Sequence, residues 1–241
     1  MRKYKFCFIG AGNVATHLSS EFKKRGHEIV QVYSRTEESA KQLADSLQTT
    51  FTTFTETITK EADIYIVALK DSAVDQVLSN VEFGDKLLVH CSGSLPMNVL
   101  SKFTKNYGVF YPLQTFSKSR KVDFKSIPIF VEANSAENLQ ILEFLAHEVS
   151  ESVTILNSEK RKSLHIAAVF ACNFANHCYA MAAKYLETKE LPFEILRPLI
   201  METAQKVQEL HPKDAQTGPA IRFDENIINS HLSELKEMPD M

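Results

Sequence analysis

"FCFIGAGNVATHL" covers residues 6–18 and passes from an apolar run, through two glycines one residue apart, into a helical pattern. Gly10 begins a match to the pattern G-x-G-x-x-A: this glycine permits a tight turn, and Gly12 lets a pyrophosphate approach the backbone. Ala15 allows close packing of helix on strand, and the free N–H groups of the helix start attract phosphate. Any tight strand-to-helix turn favours glycine, but this context predicts a dinucleotide site. Its candidate cofactor-binding residues are Gly10, Gly12, Asn13, Val14 and Ala15.

Strand and helix patterns alternate over the first 156 residues. Six apolar runs predict buried strands; they are KFCFIG, EIVQVYS, DIYIVAL, KLLVHCS, YGVFYP and IPIFVEA. Amphipathic segments separate the first three, which is typical of a doubly wound, mostly parallel α/β sheet. Only helical patterns follow, over 158–187, 192–209 and 224–236. We therefore expect a Rossmann-type cofactor-binding domain over 1–156 and a smaller all-helical substrate and dimerisation domain over 157–241.

The end of the second predicted strand indicates which dinucleotide binds. An NAD site usually has Asp or Glu there for the ribose 2′-hydroxyl. This chain has Ser34, Arg35 and Thr36 before its first carboxylate, Glu37. Hydroxyl and guanidinium groups suit a 2′-phosphate, so the sequence predicts NADP. The alternative is that Thr36 only caps the next helix and that Arg35 is solvated.

Composition limits the partners and the location. A net charge of −3 over 241 residues gives no basic surface for nucleic acid. The four cysteines lack metal-binding spacing, and no signal-peptide core follows the basic start, so we expect a cytoplasmic protein with reduced thiols and no metal. Residues 164–186 are largely apolar, but two histidines, two asparagines and a lysine would make a membrane span costly. We expect a helix that is buried in a soluble protein or a dimer.

Seven segments together resemble a bacterial family of Rossmann-like proteins. They are IGAGNVATHL, VYSRT, VALKDSAV, HCSGSL, YPLQTF, HIAAVFACNF and TGPAIRFD. The family carries a C-terminal domain of unknown function (the DUF2520 type), is labelled as NADP oxidoreductases, and is related to pyrroline-5-carboxylate reductase and F420-dependent NADP reductase. The resemblance implies a homodimer with its active cleft between the sheet edge and the helical domain. It implies no particular substrate.

Candidate site residues follow the predicted strands, because ligands of open parallel sheets lie outside the carboxyl ends of the strands. Leu69 would border the adenosine ribose, and Lys70 would lie near the cofactor or be a solvated loop lysine. Ser92 and Gly93 would approach the nicotinamide, with Ser92 a candidate for catalysis. Gln114 would contact the substrate.

The helical region supplies further candidates. His165 and Asn173 lie eight residues apart, about 80° around a helix, and can share one face. Hydride transfer to a carbonyl or imine needs a proton donor, and His is the usual choice, so we expect His165 to donate the proton and Asn173 to hold the substrate. Both residues could instead be satisfied structural groups. Arg222 could hold a substrate carboxylate or pair with Asp224.

Two functions from different classes remain open at this point. The sequence favours an NADP-dependent oxidoreductase that transfers a hydride between the nicotinamide and a small carbonyl or imine metabolite. Polar residues on a largely apolar helix support it, since burying them without a use costs stability. The alternative is a nucleotide-sensing or scaffolding Rossmann dimer without turnover.

Overall fold

The computed structural model describes residues 2–236 and 238. Eight strands form one sheet in the order β3-β2-β1-β4-β5-β6-β7-β8. The strands are β1 Lys5–Ile9, β2 Glu28–Tyr33, β3 Thr50–Thr52, β4 Ile64–Val67, β5 Leu87–His90, β6 Asn106–Pro112, β7 Ile129–Ala133 and β8 Val153–Ile155. All neighbours pair in parallel except β6 and β7, which are antiparallel. The predicted doubly wound, mostly parallel sheet is confirmed.

Helices cover the sheet and make up most of the C-terminal part of the chain. They are α1 Asn13–Lys24, α2 Glu37–Leu47, α3 Val74–Leu78, α4 Ala136–Val149, α5 Ser158–Ala168, α6 Ala175–Glu187, α7 Arg197–Glu209, α8 Pro212–Ala215 and α9 Glu225–Leu235. A π-helical segment, Val169–Phe174, lies between α5 and α6. The predicted helical character after residue 156 is therefore present.

The central strand β1 explains why this sheet has two covered faces. Phe6 and Phe8 belong to one hydrophobic cluster, together with residues of α1, α2 and α4. Cys7 and Ile9 belong to a second cluster that includes residues of α3. Because successive side chains of a strand point to opposite faces, the unbroken apolar run from Phe6 to Ile9 requires packing on both sides. This arrangement leaves the strand ends as the open part of the sheet.

The chain divides into two compact units, Met1–Val169 and Phe170–Met241. The sequence placed the boundary at residue 156, ahead of α5. The difference has a physical reason, because Arg161 of α5 is fully buried and bonds to Glu132 of β7. The first helix after the sheet therefore belongs with the sheet. The assignment of cofactor binding to one region and substrate binding or dimerisation to the other stays a prediction.

The second unit has no fully buried side chain among its described residues. Phe170 and Phe174 are 64% and 49% exposed, and Leu199 is 63% exposed. The expectation that the long apolar helix is buried is thus not met within a single chain. The helix Ser158–Glu187 is long and apolar enough to cross a membrane. Core helices of soluble proteins meet the same criteria of length and composition.

Candidate functional site

The glycine turn between β1 and α1 has one glycine that the protein itself requires and one that it does not. Gly10 has φ +119°, and a Cβ there would lie 2.3 Å from the carbonyl oxygen of Ala68. A Cβ on Gly12 would meet no atom within 4 Å. Gly12 precedes α1, whose first turn has no acidic residue. The space beside Gly12 and the free N–H groups of the helix start can accept a phosphate.

Small and polar residues complete this turn. Ala15 is fully buried against the sheet, as the packing argument requires. The Asn13 side chain donates to the Phe116 carbonyl over 2.8 Å. His17 lies 2.9 Å from the Ser117 carbonyl and stacks on the Phe116 ring. The segment after β6 is therefore anchored beside the glycine turn. The sequence reasoning missed His17 and Phe116, because contacts across about a hundred residues leave no periodic signal.

The residues after β2 remain accessible to a ligand. Arg35 and Thr36 are exposed, and Ser34 is partly exposed. Thr36 occupies the N-cap position of α2, but its side chain makes no capping hydrogen bond. Its hydroxyl is not committed to the helix, which weakens the alternative that Thr36 serves only as a cap. Two acidic side chains, Glu37 and Glu38, follow in the first turn of α2.

The residues after β4 differ in their surroundings. Leu69 lies next to the glycine turn, since its Cδ2 atom would be 3.4 Å from a Cβ on Gly10. Lys70 is exposed and precedes a short turn of helix at Asp71–Ala73. The position of Leu69 suits the predicted border of the adenosine ribose. The position of Lys70 is compatible with a residue near the cofactor and with a solvated loop lysine.

The end of β5 places Gly93 directly against His165. A Cβ on Gly93 would lie 2.6 Å from Nδ1 of His165 and 2.7 Å from its Cγ. The hydroxyl oxygen of Ser92 accepts the backbone N–H groups of Ser94 and Leu95 over 3.0 and 3.1 Å. Ser92 thus stabilises the turn that brings Gly93 to the imidazole. Its predicted catalytic role stays a prediction.

Tyr111 at the end of β6 is the hydrogen-bond partner of His165. Its hydroxyl lies 3.0 Å from Nδ1 of His165, and the two rings meet edge to face. Tyr111 is 8% exposed, and burial raises the pKa of its phenol. When the phenol donates to Nδ1, the imidazole proton lies on Nε2 and is available to a ligand. Tyr111 and His165 come together although 54 residues separate them.

Arg161, one helical turn before His165 on α5, forms an ion pair with Glu132 of β7. The guanidinium of Arg161 bonds to the Glu132 carboxylate, to the Leu95 carbonyl over 2.5 Å and to the Ser158 hydroxyl over 3.2 Å. Nδ1 of His90 accepts the backbone N–H of Ser92 over 3.2 Å. Burial, and secondly the charge of Arg161, lower the pKa of His90 to about 3. His90 is therefore a neutral structural residue at physiological pH.

The remaining predicted residues do not join this cluster within the first unit. Gln114 is exposed, and its side-chain oxygen accepts the N–H of Thr115 over 2.8 Å. Asn173 and Arg222 are exposed residues of the second unit. Over residues 2–236 and 238 no ion pair joins Arg222 to Asp224, which instead caps α9. Their roles in substrate binding stay predictions.

Other features of the surface do not carry the site. A depression of about 870 Å³ lies among residues such as Lys86 and Lys105, where the strands begin rather than end. Within the described part of the chain no group of three or more His, Cys, Asp or Glu residues could hold a metal ion. The glycine turn, the β2 end and the Tyr111–His165 pair define the candidate site. Such a sheet and turn define a Rossmann-type dinucleotide-binding protein.

Two family models match the sequence. Residues 5–93 match the model described as "NADP oxidoreductase coenzyme F420-dependent". Residues 127–241 match the "Domain of unknown function (DUF2520)". No protein with a curated description matches the sequence.

Solved structures extend these matches. A Bacteroides fragilis protein, named provisionally as an NADP oxidoreductase, is 51% identical with a TM-score of 0.94 over 99% of this chain and 93% of its own. The 1-pyrroline-5-carboxylate reductase of Streptococcus pyogenes is 15% identical with a TM-score of 0.67 over 99% of this chain and 93% of its own. A reductive aminase from Aspergillus terreus, in complex with NADPH and ethyl-5-oxohexanoate, is 16% identical with a TM-score of 0.68 over 86% and 74%.

The chain belongs to the family of Rossmann-like NADP oxidoreductases with a DUF2520 domain. The resemblance drawn from the sequence motifs is thereby confirmed, and so are the oxidoreductase class and the NADP cofactor.

Proposed function

We propose that the protein reduces the C=N or C=O bond of a small metabolite with NADPH, or catalyses the reverse reaction, and that His165 transfers the proton. The observation that carries this proposal is the Tyr111–His165 hydrogen bond of 3.0 Å beside Gly93. It lies at the carboxyl ends of β5 and β6, the edge at which sheets of this type bind ligands. Hydride transfer to carbon must be matched by a proton on the heteroatom, and the imidazole of His165 is the group placed to deliver it.

The residues of the first unit fit the dinucleotide. Gly12 and the start of α1 would hold the pyrophosphate, and Ser34, Arg35 and Thr36 would hold the 2′-phosphate. Leu69 would border the ribose, and Gly93 would leave room for the nicotinamide end. Bound NADPH supplies the hydride. The open space at Gly12 supports this fit, because nothing in the protein itself requires a glycine there.

Substrate selection would use three polar residues. Gln114 is exposed on the segment anchored to α1 and can hydrogen-bond a substrate. Asn173 would hold the reacting oxygen or nitrogen, and Arg222 would pair with a carboxylate. A small molecule is the partner that this set of groups suits. Nucleic acid and membrane are not expected as partners, and we expect the protein to work in the cytoplasm.

We further infer that the active form is a homodimer that pairs through the helical unit. The second unit exposes large apolar side chains on three helices and has no fully buried side chain among its described residues. A region of this size without a core is not stable in water by itself. A second copy is the simplest cover, since a symmetric interface buries the same surface on both chains.

A substrate screen tests the proposed function. Purified protein and NADPH are incubated with panels of small ketones, aldehydes and cyclic imines, and NADPH absorbance is followed. The proposal predicts turnover with at least one panel member and a loss of about 10²–10⁴ in kcat for His165→Ala. His147→Ala, a change at an exposed histidine of α4 outside both the proposed site and the helical unit, is the matched control and should keep wild-type turnover. Tight NADPH binding without turnover of any imine or carbonyl would instead favour the sensing or scaffolding role.

A further inference from the structure

We propose that Tyr111 and His165 form a two-proton relay and that the buried Arg161 stabilises the tyrosinate that the relay leaves behind. The inference deepens the proposed function and rests on proton delivery by His165. The Tyr111 hydroxyl lies 3.0 Å from Nδ1 of His165, and in the relay it donates to that nitrogen. Arg161 lies one helical turn before His165 on α5, so both side chains share one face of that helix.

The relay follows from the charge that a neutral imidazole would otherwise acquire. If His165 gave its Nε2 proton to a substrate nitrogen or oxygen without replacement, an imidazolate would remain. The phenol prevents this, because its O–H bond breaks as the new Nδ1–H bond forms. The substrate gains one N–H or O–H bond, His165 stays neutral, and the negative charge moves to the Tyr111 oxygen. A proton from solvent later binds Nε2 while Nδ1 returns its proton to the Tyr111 oxygen, so both groups are restored and one hydride and one proton are consumed in each reduction.

The burial of Tyr111 works against this step, and Arg161 offsets it. Burial raises the pKa of Tyr111, whereas the charge of Arg161 lowers it. Arg161 is itself fully buried and so cannot be screened by water as a surface cation would be. Its guanidinium is held in place by the Glu132 carboxylate and the Leu95 carbonyl. Arg161 therefore acts as a positioning residue with a fixed charge.

The other groups near the relay carry little opposing charge. His90 at the end of β5 is neutral because its pKa is lowered to about 3, and Cys91, the next residue, is a thiol because burial raises its pKa to about 12. From β7, Phe130 faces the Tyr111 ring, with ring centres 6.3 Å apart. Glu132 of the same strand is the remaining charge, and it is paired with Arg161.

The first experiment measures the Tyr111 phenol directly and needs no substrate. Protein labelled with carbon-13 at tyrosine Cζ is titrated by NMR, and Tyr111→Phe assigns the signal. Removing Arg161 alone would leave the mostly buried Glu132 carboxylate without its counter-ion and with only the N–H and hydroxyl of Ser158 as partners, so both charges are removed together. The proposal predicts that Arg161→Met with Glu132→Met raises the Tyr111 pKa. Arg161→Gln with Glu132→Gln removes the same two charges but keeps polar side chains, and it should raise the pKa in the same direction.

The second experiment separates the relay from the proposed function itself. On a substrate found in the screen, kcat is measured across mixtures of light and heavy water. Two protons in flight predict a curved dependence in the wild type and a linear one in Tyr111→Phe. A Tyr111 pKa that is unchanged in both double variants, or a linear dependence in the wild type, would overturn the relay while leaving the oxidoreductase intact. Absence of turnover with any substrate would overturn the proposed function. The Tyr111 titration would then still test whether Arg161 stabilises the tyrosinate.

Discussion

Gly12→Ala should weaken NADPH binding without harming the fold. The added Cβ would meet no protein atom within 4 Å, and the backbone at Gly12 (φ −81°, ψ −170°) suits any residue. Alanine should therefore leave stability unchanged or raise it by about 0.4–1 kcal/mol through the unfolded state. The same methyl group would occupy the space into which the pyrophosphate must come. Losing one charge-assisted hydrogen bond costs about 1.5–3 kcal/mol, which is about 10- to 150-fold in affinity.

Gly10→Ala is the matched comparison, because its cost lies in the protein. A Cβ there would lie 2.3 Å from a backbone oxygen, in a conformation with φ +119°. Backbone strain and overpacking each cost about 1–3 kcal/mol. Urea unfolding measures stability, and NADPH fluorescence titration measures affinity. The reasoning would be refuted if Gly12→Ala bound NADPH as the wild type does, or if it lost as much stability as Gly10→Ala.

Three further predictions concern the cofactor, the assembly and the effect of pH. Arg35→Ala should weaken NADPH by about 10- to 150-fold and leave NADH affinity nearly unchanged in the same titration; equal losses for both would contradict a 2′-phosphate contact. Light scattering at micromolar concentration should return twice the chain mass of 27.3 kDa, whereas a monomer would exclude the proposed dimer. The pKa of His90 falls from 6.5 to about 3 on folding, so the unfolded state binds the extra proton and acid favours unfolding. As the pH falls from 6.5 to about 3, protonation of His90 should lower the free energy of unfolding by about 1.4 kcal/mol for each pH unit. A His90→Gln variant whose free energy of unfolding in urea changes with pH as that of the wild type does would contradict this.

The fold could be predicted because its signals are local. The glycine turn at Gly10–Ala15 and the alternation of strands and helices both lie within short windows. The antiparallel direction of β7 relative to β6 could not be predicted from the alternation of strands and helices. Residues 113–128, between β6 and β7, contain no α-helix, and a connection without such a crossover favours antiparallel pairing.

The site was only partly predictable, for a related reason. His165 stood out as a polar residue on an apolar helix. Its hydrogen bond to Tyr111 could not be predicted, because the two residues are 54 positions apart. Arg161 is one of several charged residues near the start of α5, yet it is fully buried. Pairs of this kind depend on how elements pack, which periodicity along the chain does not record.

The most direct test is a crystal structure of the protein with NADPH bound. We expect the pyrophosphate at Gly12, the 2′-phosphate on Arg35 and the nicotinamide beside Gly93. The nicotinamide should face Nε2 of His165. A nicotinamide ring that lies away from His165, with the Tyr111–His165 hydrogen bond intact, would contradict proton transfer by this pair.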